Sequence, residues 1–287
     1  MDYQIARKVA QTAVRRAGRL LLKNFQKVQR VEIKTRRDLV LAIDLKAERL
    51  IVQEIHRHFP DHNILSEQAG FTDKGSPYTW VIDPMDGSVN YYNGVAPFCT
   101  SLALVYRQAT ILSAIYDPME KKLYFAERGK GAWVNDRRLR VSRHADIHNT
   151  LVMTHLSSRR IARALTLKTF GRLYDYDMRI RLFGSGIAAL TYVASGTFDV
   201  FYNILTYPWD IVSGALLVEE AGGKVTDFQG QPITLKSTSV VATNRRFHKT
   251  ILRIVKGAHV SSQVIHKAIF RTIHGDKAVR HSKSSRH

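Results

Sequence analysis

The run Trp80-Val81-Ile82-Asp83-Pro84-Met85-Asp86-Gly87-Ser88-Val89-Asn90 constrains this chain more than any other stretch. It reads as a buried strand that ends in two carboxylates three residues apart, with a Gly-Ser turn at once after them. Pro84 and Gly87 shape that turn. Carboxylates at a strand end, where the chain turns toward a helix, can hold hard cations. The Gly-Ser backbone beside them can receive a phosphate. The combination points to metal-assisted phosphate chemistry.

The remaining sequence is compatible with that chemistry. A chain of 287 residues can bury a large core, as one domain or two intimate halves. No apolar run approaches the roughly 20 residues that cross a bilayer. Arg7, Lys8, Arg15 and Arg16 interrupt any secretory signal core. The start reads instead as the first helix of the domain, with Ile5, Val9, Ala13, Leu20 and Leu21 inward. Cys99, the single cysteine, lies in the apolar run from Phe98 to Val105. It reads as a buried strand residue of a protein in a reducing, cytoplasmic compartment. The net charge of +20 is unevenly placed, because residues 245–287 hold 11 Lys/Arg and one acid. Such a segment is a solvated arm or an electrostatic footprint for nucleic acid, ribosomes or anionic surfaces.

Periodicity predicts helices over Tyr3–Phe25 and Asp44–His58, the second stopped by Pro60. Short strands are predicted at Ile64-Leu65 and Trp80–Ile82. Longer paired strands follow at Thr100–Tyr106, Thr110–Tyr116 and Lys122–Ala126, so the first half reads as helices on one face of an antiparallel sheet. The second half alternates. Strands at Leu151–Thr154, Arg181–Phe183, Phe198–Tyr202, Lys224–Asp227 and Ser239–Ala242 are separated by helices at Ser157–Leu173, Ser185–Ala194 and Asp210–Ala221, with a last helix at Arg246–Lys256. The result is a layered α+β sandwich, with halves at about 1–148 and 149–257. Residues 258–287 are expected to form a basic tail, helical in part and disordered from Gly275.

Four acids stand where a metal site needs them. Glu67 follows a strand, Asp83 and Asp86 end another, and Asp210 opens a helix after Pro208-Trp209. Singly, each is more often a cap or turn acid. Together they are better explained as a cluster for Mg²⁺, which takes oxygen ligands in octahedral geometry.

The chain resembles the inositol monophosphatase family of Mg²⁺-dependent, Li⁺-sensitive phosphatases, and within it the bacterial SuhB-type members. The carriers are Asp83-Pro84-Met85-Asp86-Gly87-Ser88-Val89-Asn90, and Trp209-Asp210-Ile211-Val212-Ser213-Gly214 with Glu219-Glu220-Ala221-Gly222-Gly223. Asp38-Leu39-Val40 leading to Asp44, Leu65-Ser66-Glu67 and Phe183-Gly184-Ser185 support them in the family's order. The resemblance implies the αβαβα sandwich of sugar phosphatases and a homodimer. It also implies that Glu67, Asp83 and the Met85 carbonyl ligate one Mg²⁺. Asp83, Asp86 and Asp210 would ligate a second, and Glu67 would help hold a third. Asp44 and Ser88 would orient and deprotonate the attacking water, Ser88 standing for the commoner Thr. Gly87 and Ser88 would present N–H groups to the phosphate, Gly184 and Ser185 would line the substrate side, and Lys34 would lie near the phosphate or the loosely held metal.

Three positions depart from the family pattern. Gln68 replaces a second Glu, Gly186 replaces a small Ala, and Asn203 stands where many members carry a Glu that grips the inositol hydroxyls. The expected activity is hydrolysis of myo-inositol 1-phosphate or a similar polyol or sugar phosphate. The alternatives are fructose 1,6-bisphosphate, a nucleoside bisphosphate or histidinol phosphate as substrate. A further alternative is a SuhB-like regulator that meets RNA or the transcription machinery through the basic tail.

Overall fold

The computed structural model describes residues 2–27, 31–35, 38–157 and 160–257, with backbone alone for those between 31 and 41. In chain order the elements are α1 (Tyr3–Asn24), β1 (Val31–Thr35), β2 (Asp38–Leu41), α2 (Ala42–His58), β3 (Asn63–Ser66), β4 (Gly70–Thr72), β5 (Tyr78–Asp86) and α3 (Ser88–Tyr92). Then come β6 (Cys99–Tyr106), β7 (Ala109–Asp117), β8 (Lys122–Glu127), β9 (Gly131–Val134), β10 (Arg137–Arg138) and β11 (Leu151–Thr154). The rest are α4 (Arg160–Tyr174), β12 (Arg179–Leu182), α5 (Gly186–Ala194), β13 (Val200–Ile204), α6 (Val212–Glu220), β14 (Lys224–Thr226), β15 (Ser239–Thr243) and α7 (His248–Gly257). The predicted tail, 258–287, lies outside the described residues.

These elements stack as five layers. α1 and α2 cover one face of an eight-stranded sheet ordered β10-β9-β8-β7-β6-β5-β3-β4. α5 and α6 fill the space between its other face and a five-stranded sheet ordered β12-β11-β13-β15-β14. α4 and α7 close the far side of that second sheet. The α+β sandwich is therefore as expected, with two corrections to its first half. β3 and β5 run parallel, so the first sheet is mixed. Both of its faces are covered, the second by helices that come from later in the chain.

α1 begins because the Asp2 carboxylate accepts from the N–H groups of Gln4 and Ile5 at 2.8 and 3.2 Å. Its inward stripe is Ala6, Val9, Ala10, Ala13, Val14, Ala17 and Leu21. Ile5 is exposed, contrary to its predicted inward place, because the helix turns small alanines toward α2 and the sheet. Cys99 is buried as predicted, and burial pushes its thiol well above the usual value.

Between β14, β15 and α7 the buried His248 ring meets two threonine hydroxyls. Thr226 Oγ1 lies 3.0 Å from Nε2 and Thr243 Oγ1 lies 3.1 Å from Nδ1. A neutral ring satisfies both, one nitrogen donating and the other accepting. Burial, helped by the charge of Lys224, lowers its pKa to about 4. In the unfolded chain the ring takes a proton near 6.5, so between those values the unfolded state holds more protons. This contribution is complete above about pH 6.5 and is lost as pH falls toward 4, on the order of 3 kcal/mol. The urea midpoint should drop between pH 7 and pH 5. His248→Gln should start lower at pH 7 and flatten that part of the curve. An unchanged slope in the variant would assign the acid sensitivity to other groups.

Candidate active site

On a regular strand, residues three apart point to opposite faces, so Asp83 and Asp86 would not meet. The structure solves this with a bulge. Asp83 pairs with Ser101 and Asp86 with Cys99, so Pro84 and Met85 together oppose the single residue Thr100. One extra residue restores the parity, and both acids emerge on the face toward α5 and α6. Pro84 fits there because it has no N–H to lose from the ladder. Its carbonyl accepts from Thr100 Oγ1 at 3.0 Å, and the Met85 N–H is taken by Asp83 Oδ1 at 3.0 Å.

Asp83 is the electrostatic centre of the cluster. Its pKa is raised well above the usual carboxylate value by burial, then by the charges of Glu67, Asp86, Asp210 and Asp44. All of the predicted carboxylates therefore gather round one strand end. Asp86 is also raised by burial, but hydrogen bonds work against this. Its Oδ2 accepts from Ser185 Oγ at 2.5 Å and from Ile187 N–H at 2.6 Å, and its Oδ1 from Gly186 N–H at 3.3 Å. Asp86 thus sits on the N-terminus of α5, which favours negative charge. Asp210 does not open a helix, as the sequence predicts. It ends the short 3-10 turn Pro208–Asp210, and α6 starts at Val212. Its Oδ2 accepts from Thr206 Oγ1 at 3.0 Å and Tyr207 N–H at 2.9 Å.

Glu67 is held from below by a residue that sequence reading passes over. Glu48 of α2 is buried, and its Oε2 accepts from the Ser66 hydroxyl and from Gln68 N–H at 3.1 Å. It brackets Glu67 on both sides, while Glu67 N–H reaches Ile82 O of β5 at 3.3 Å. Its signal was legible: Glu48 is one helical turn from Asp44, on the same buried face. The buried Asp44 acts on Asp83 and also raises Tyr91 to about 12, second to burial there. Asp44 therefore lies near both the acid cluster and α3, the helix opened by Ser88.

Gly87 caps α3 with φ +93°, and a Cβ there would stand 2.8 Å from Pro97 O, so a side chain is excluded twice over. Ser185 meets the cluster from the second half through its hydroxyl on Asp86, and Gly184 lies against Asn90. Asn90, the last residue of the motif, donates to Pro97 O at 2.8 Å and Phe183 O at 2.6 Å. It ties α3 to the Gly184 turn, a joining role that the sequence does not reveal. Asn203 is buried on β13, and its Oδ1 accepts from Ile204 N–H at 2.8 Å, a bond within its own strand. Lys34 lies on β1, where only backbone is described. Gln68 stands beside Glu67 with its N–H on Glu48. The motif acids Glu219 and Glu220 are not in the cluster. Glu220 accepts from Gly129 and Gly131 N–H, and Glu219 pairs with Arg128 at 3.1 Å, fastening α6 to the β8–β9 turn.

Among the described residues, no three acid, histidine or cysteine side chains yet converge in the geometry that holds a metal ion. Asp86 and Asp210 direct oxygens at nearby N–H and hydroxyl groups instead. The donor set nonetheless fits a hard cation. It is made of carboxylates, and Asp83 has no described ion-pair partner to offset four acidic neighbours.

Comparison with known proteins points to one family. The inositol monophosphatase family model matches residues 2–259. A Thermotoga maritima fructose-1,6-bisphosphatase/inositol-1-monophosphatase is 36% identical over 243 residues, covering 84% of this chain and 92% of that protein. The Escherichia coli Nus factor SuhB is 36% identical over 248 residues, covering 85% and 93%. Among solved structures, the Bartonella henselae extragenic suppressor protein SuhB superposes with a TM-score of 0.81 at 30% identity, covering 85% of this chain and 96% of that one. With the family model matched nearly end to end and relatives 36% identical over most of both chains, this chain belongs to the inositol monophosphatase family.

Proposed function

We propose that this protein is a Mg²⁺-dependent phosphomonoesterase acting on myo-inositol 1-phosphate or a similar polyol or sugar phosphate. The observation that carries the reading is Asp83, buried and under the charge of Glu67, Asp86, Asp210 and Asp44 together. Glu67, Asp83 and the Met85 carbonyl would hold one ion, Asp83, Asp86 and Asp210 a second, with Glu67 sharing in a third. Bound Mg²⁺ supplies positive charge for the phosphate oxygens and acidifies water. The chain's own groups do the rest. Asp44 and Ser88 orient the attacking water and take its proton. Gly87 and Ser88 direct N–H groups at the phosphate. Gly184 and Ser185 border the ester side, where α5 begins. With its Oδ1 on Ile204 N–H, Asn203 would offer the substrate side only its Nδ2, a neutral donor in place of a carboxylate, which favours a polyol over a cationic alcohol such as histidinol.

Phosphate release with Mg²⁺ should be measured across inositol 1-phosphate, fructose 1,6-bisphosphate, histidinol phosphate and a nucleoside 3′,5′-bisphosphate. A polyol or sugar phosphate should give the highest kcat/KM. No release from any of the four would sink the proposal. Preference for histidinol phosphate would overturn the role given to Asn203.

A further inference from the structure

The outermost layer of the second half is basic throughout. α4 carries Arg160, Arg163, Lys168 and Arg172, and α7 carries Lys249, Arg253 and Lys256, with no acid on either helix. None of the seven is in an ion pair with a described carboxylate, and all but the half-buried Arg163 are exposed. On the opposite outer layer α1 is also without acids, but there α2 supplies Glu54, on which Arg16 and Arg57 both converge, and Arg7 lies over the Phe125 ring. α4 and α7 pack side by side on the β11–β15 sheet and meet at their C-terminal ends, where the Arg172 guanidinium lies against Gly257.

Stability does not account for this face. Arg172 and Lys256 sit in last turns, where cations offset the helix dipole. Arg160, Arg163 and Lys249 sit in first turns, where the dipole makes cations unfavourable and acids would help. Of the acids beside these helices, Asp177 after α4 faces His148 at 3.5 Å, and Asp227, in the turn that Lys256 reaches at Gln229 O, accepts from Gln229 and Gln231 N–H. Exposed apolar groups stand among the cations: Ile161, Leu167 and, 77% exposed, Tyr174. From Arg160 to Arg172 the face extends about 18 Å at the helical rise, long enough to follow several phosphates of a strand.

We propose that the α4–α7 face binds single-stranded nucleic acid, its cations on the phosphates and Tyr174 stacked on a base. Cationic grooves with exposed aromatics are the usual means of holding such strands. The charge continues in sequence past Gly257, where residues 258–287 contain six Lys/Arg and one Asp. A membrane surface is the weaker match. An interfacial helix needs a continuous outward apolar face, and the apolar stripes of α4 and α7 are already spent on the sheet. The inference is independent of the phosphatase reading.

The test uses the full chain and labelled oligo(U) and oligo(dT) of about 20 nucleotides, a length covering one or more single-strand sites. Anisotropy is followed against salt. Arg163→Gln/Lys168→Gln/Arg253→Gln, with the tail intact, should weaken binding at least about tenfold. It should also reduce the salt slope by about 2, at roughly 0.7 per lost phosphate contact. Tyr174→Ala should weaken binding about tenfold with the slope unchanged. Circular dichroism and Tm matching the parent chain confirm that the variants fold. RNA and DNA arms give the same dependence if the backbone is read, and a preference for one identifies the strand. Three results would overturn the proposal: variants that bind as the parent does, loss only when tail cations are neutralised, or binding to vesicles of acidic phospholipid but to neither oligonucleotide.

Discussion

Asp83→Asn should lower phosphate release by at least about a thousandfold while making the metal-free protein more stable. The two effects have one cause. Asp83 is 1% exposed and carries the repulsion of four acids. Asn keeps the shape, and its Oδ1 can still accept the Met85 N–H that Asp83 Oδ1 now takes. Removing the charge therefore relieves the repulsion without opening a cavity, and the Tm without added metal should rise. The same charge is the one that both proposed ions share, so the Mg²⁺-induced rise in Tm should shrink or vanish. A thousandfold is about 4 kcal/mol of lost transition-state stabilisation, within reach for an anionic ligand removed from a dry site. Release unaffected by the substitution would end the metal-site assignment. A lower Tm in the absence of metal would mean that Asp83 is held by contacts not yet recognised, and that repulsion is not the dominant force on it.

Elements with strong periodicity were legible. α1, α2 and the meander of β6, β7 and β8 fall within a residue or two of the expected spans, because each pairs a long apolar pattern with a clear stop. The weak elements were not. β9, β10 and β4 are short, and β10 is only Arg137–Arg138, exposed and paired to β9 with the Arg138 guanidinium over the Trp133 ring. Nothing in such a pair announces a strand, since its hydrogen bonds depend on a neighbour and not on its own side chains. The covering of both faces of the first sheet was also hidden, because α5 and α6 were legible as helices but their docking place follows from long-range packing that no local pattern encodes.

For the site, residue type was legible and mutual placement was not. The acids could be named from Asp83-Pro84-Met85-Asp86 and Trp209-Asp210, yet spacing alone puts Asp83 and Asp86 on opposite faces. The bulge at Pro84-Met85 is what brings them together. Glu48 and Asn90 were passed over for a related reason. Each acts by holding another residue's backbone, Glu48 at Gln68 and Asn90 at Phe183 and Pro97, and such roles are visible only once the chain is folded. Glu219 and Glu220 carry the resemblance without belonging to the site: they fasten α6 to the β8–β9 turn.

Gly214→Ala should both destabilise the fold and raise the Mg²⁺ concentration needed for half-maximal activity. Gly214 sits in α6 against Leu190 of α5, and a Cβ there would come within 2.4 Å of Leu190 Cδ1 and 2.5 Å of Leu190 Cβ. The Leu190 Cβ is fixed to its helix, so the rotamer cannot relieve the clash and the helices must separate. Overpacking of this kind costs about 1–3 kcal/mol, against which Ala regains about 0.5–1 kcal/mol of helix propensity. The net loss should lower Tm by about 2–4 °C per kcal/mol in a chain of this size. The functional effect follows from what each helix carries. The start of α5 holds Asp86 through Ser185, Gly186 and Ile187, and α6 follows directly on the turn of Asp210. Parting the helices parts the two carboxylates. Leu190→Ala alone should cost about 2–5 kcal/mol for the cavity. The double variant should cost less than the sum, because the methyl introduced on α6 then occupies part of the vacated space. Additive losses would show that the two helices do not set each other's position. A Tm for Gly214→Ala at or above that of the parent would remove the close contact as the reason for glycine there.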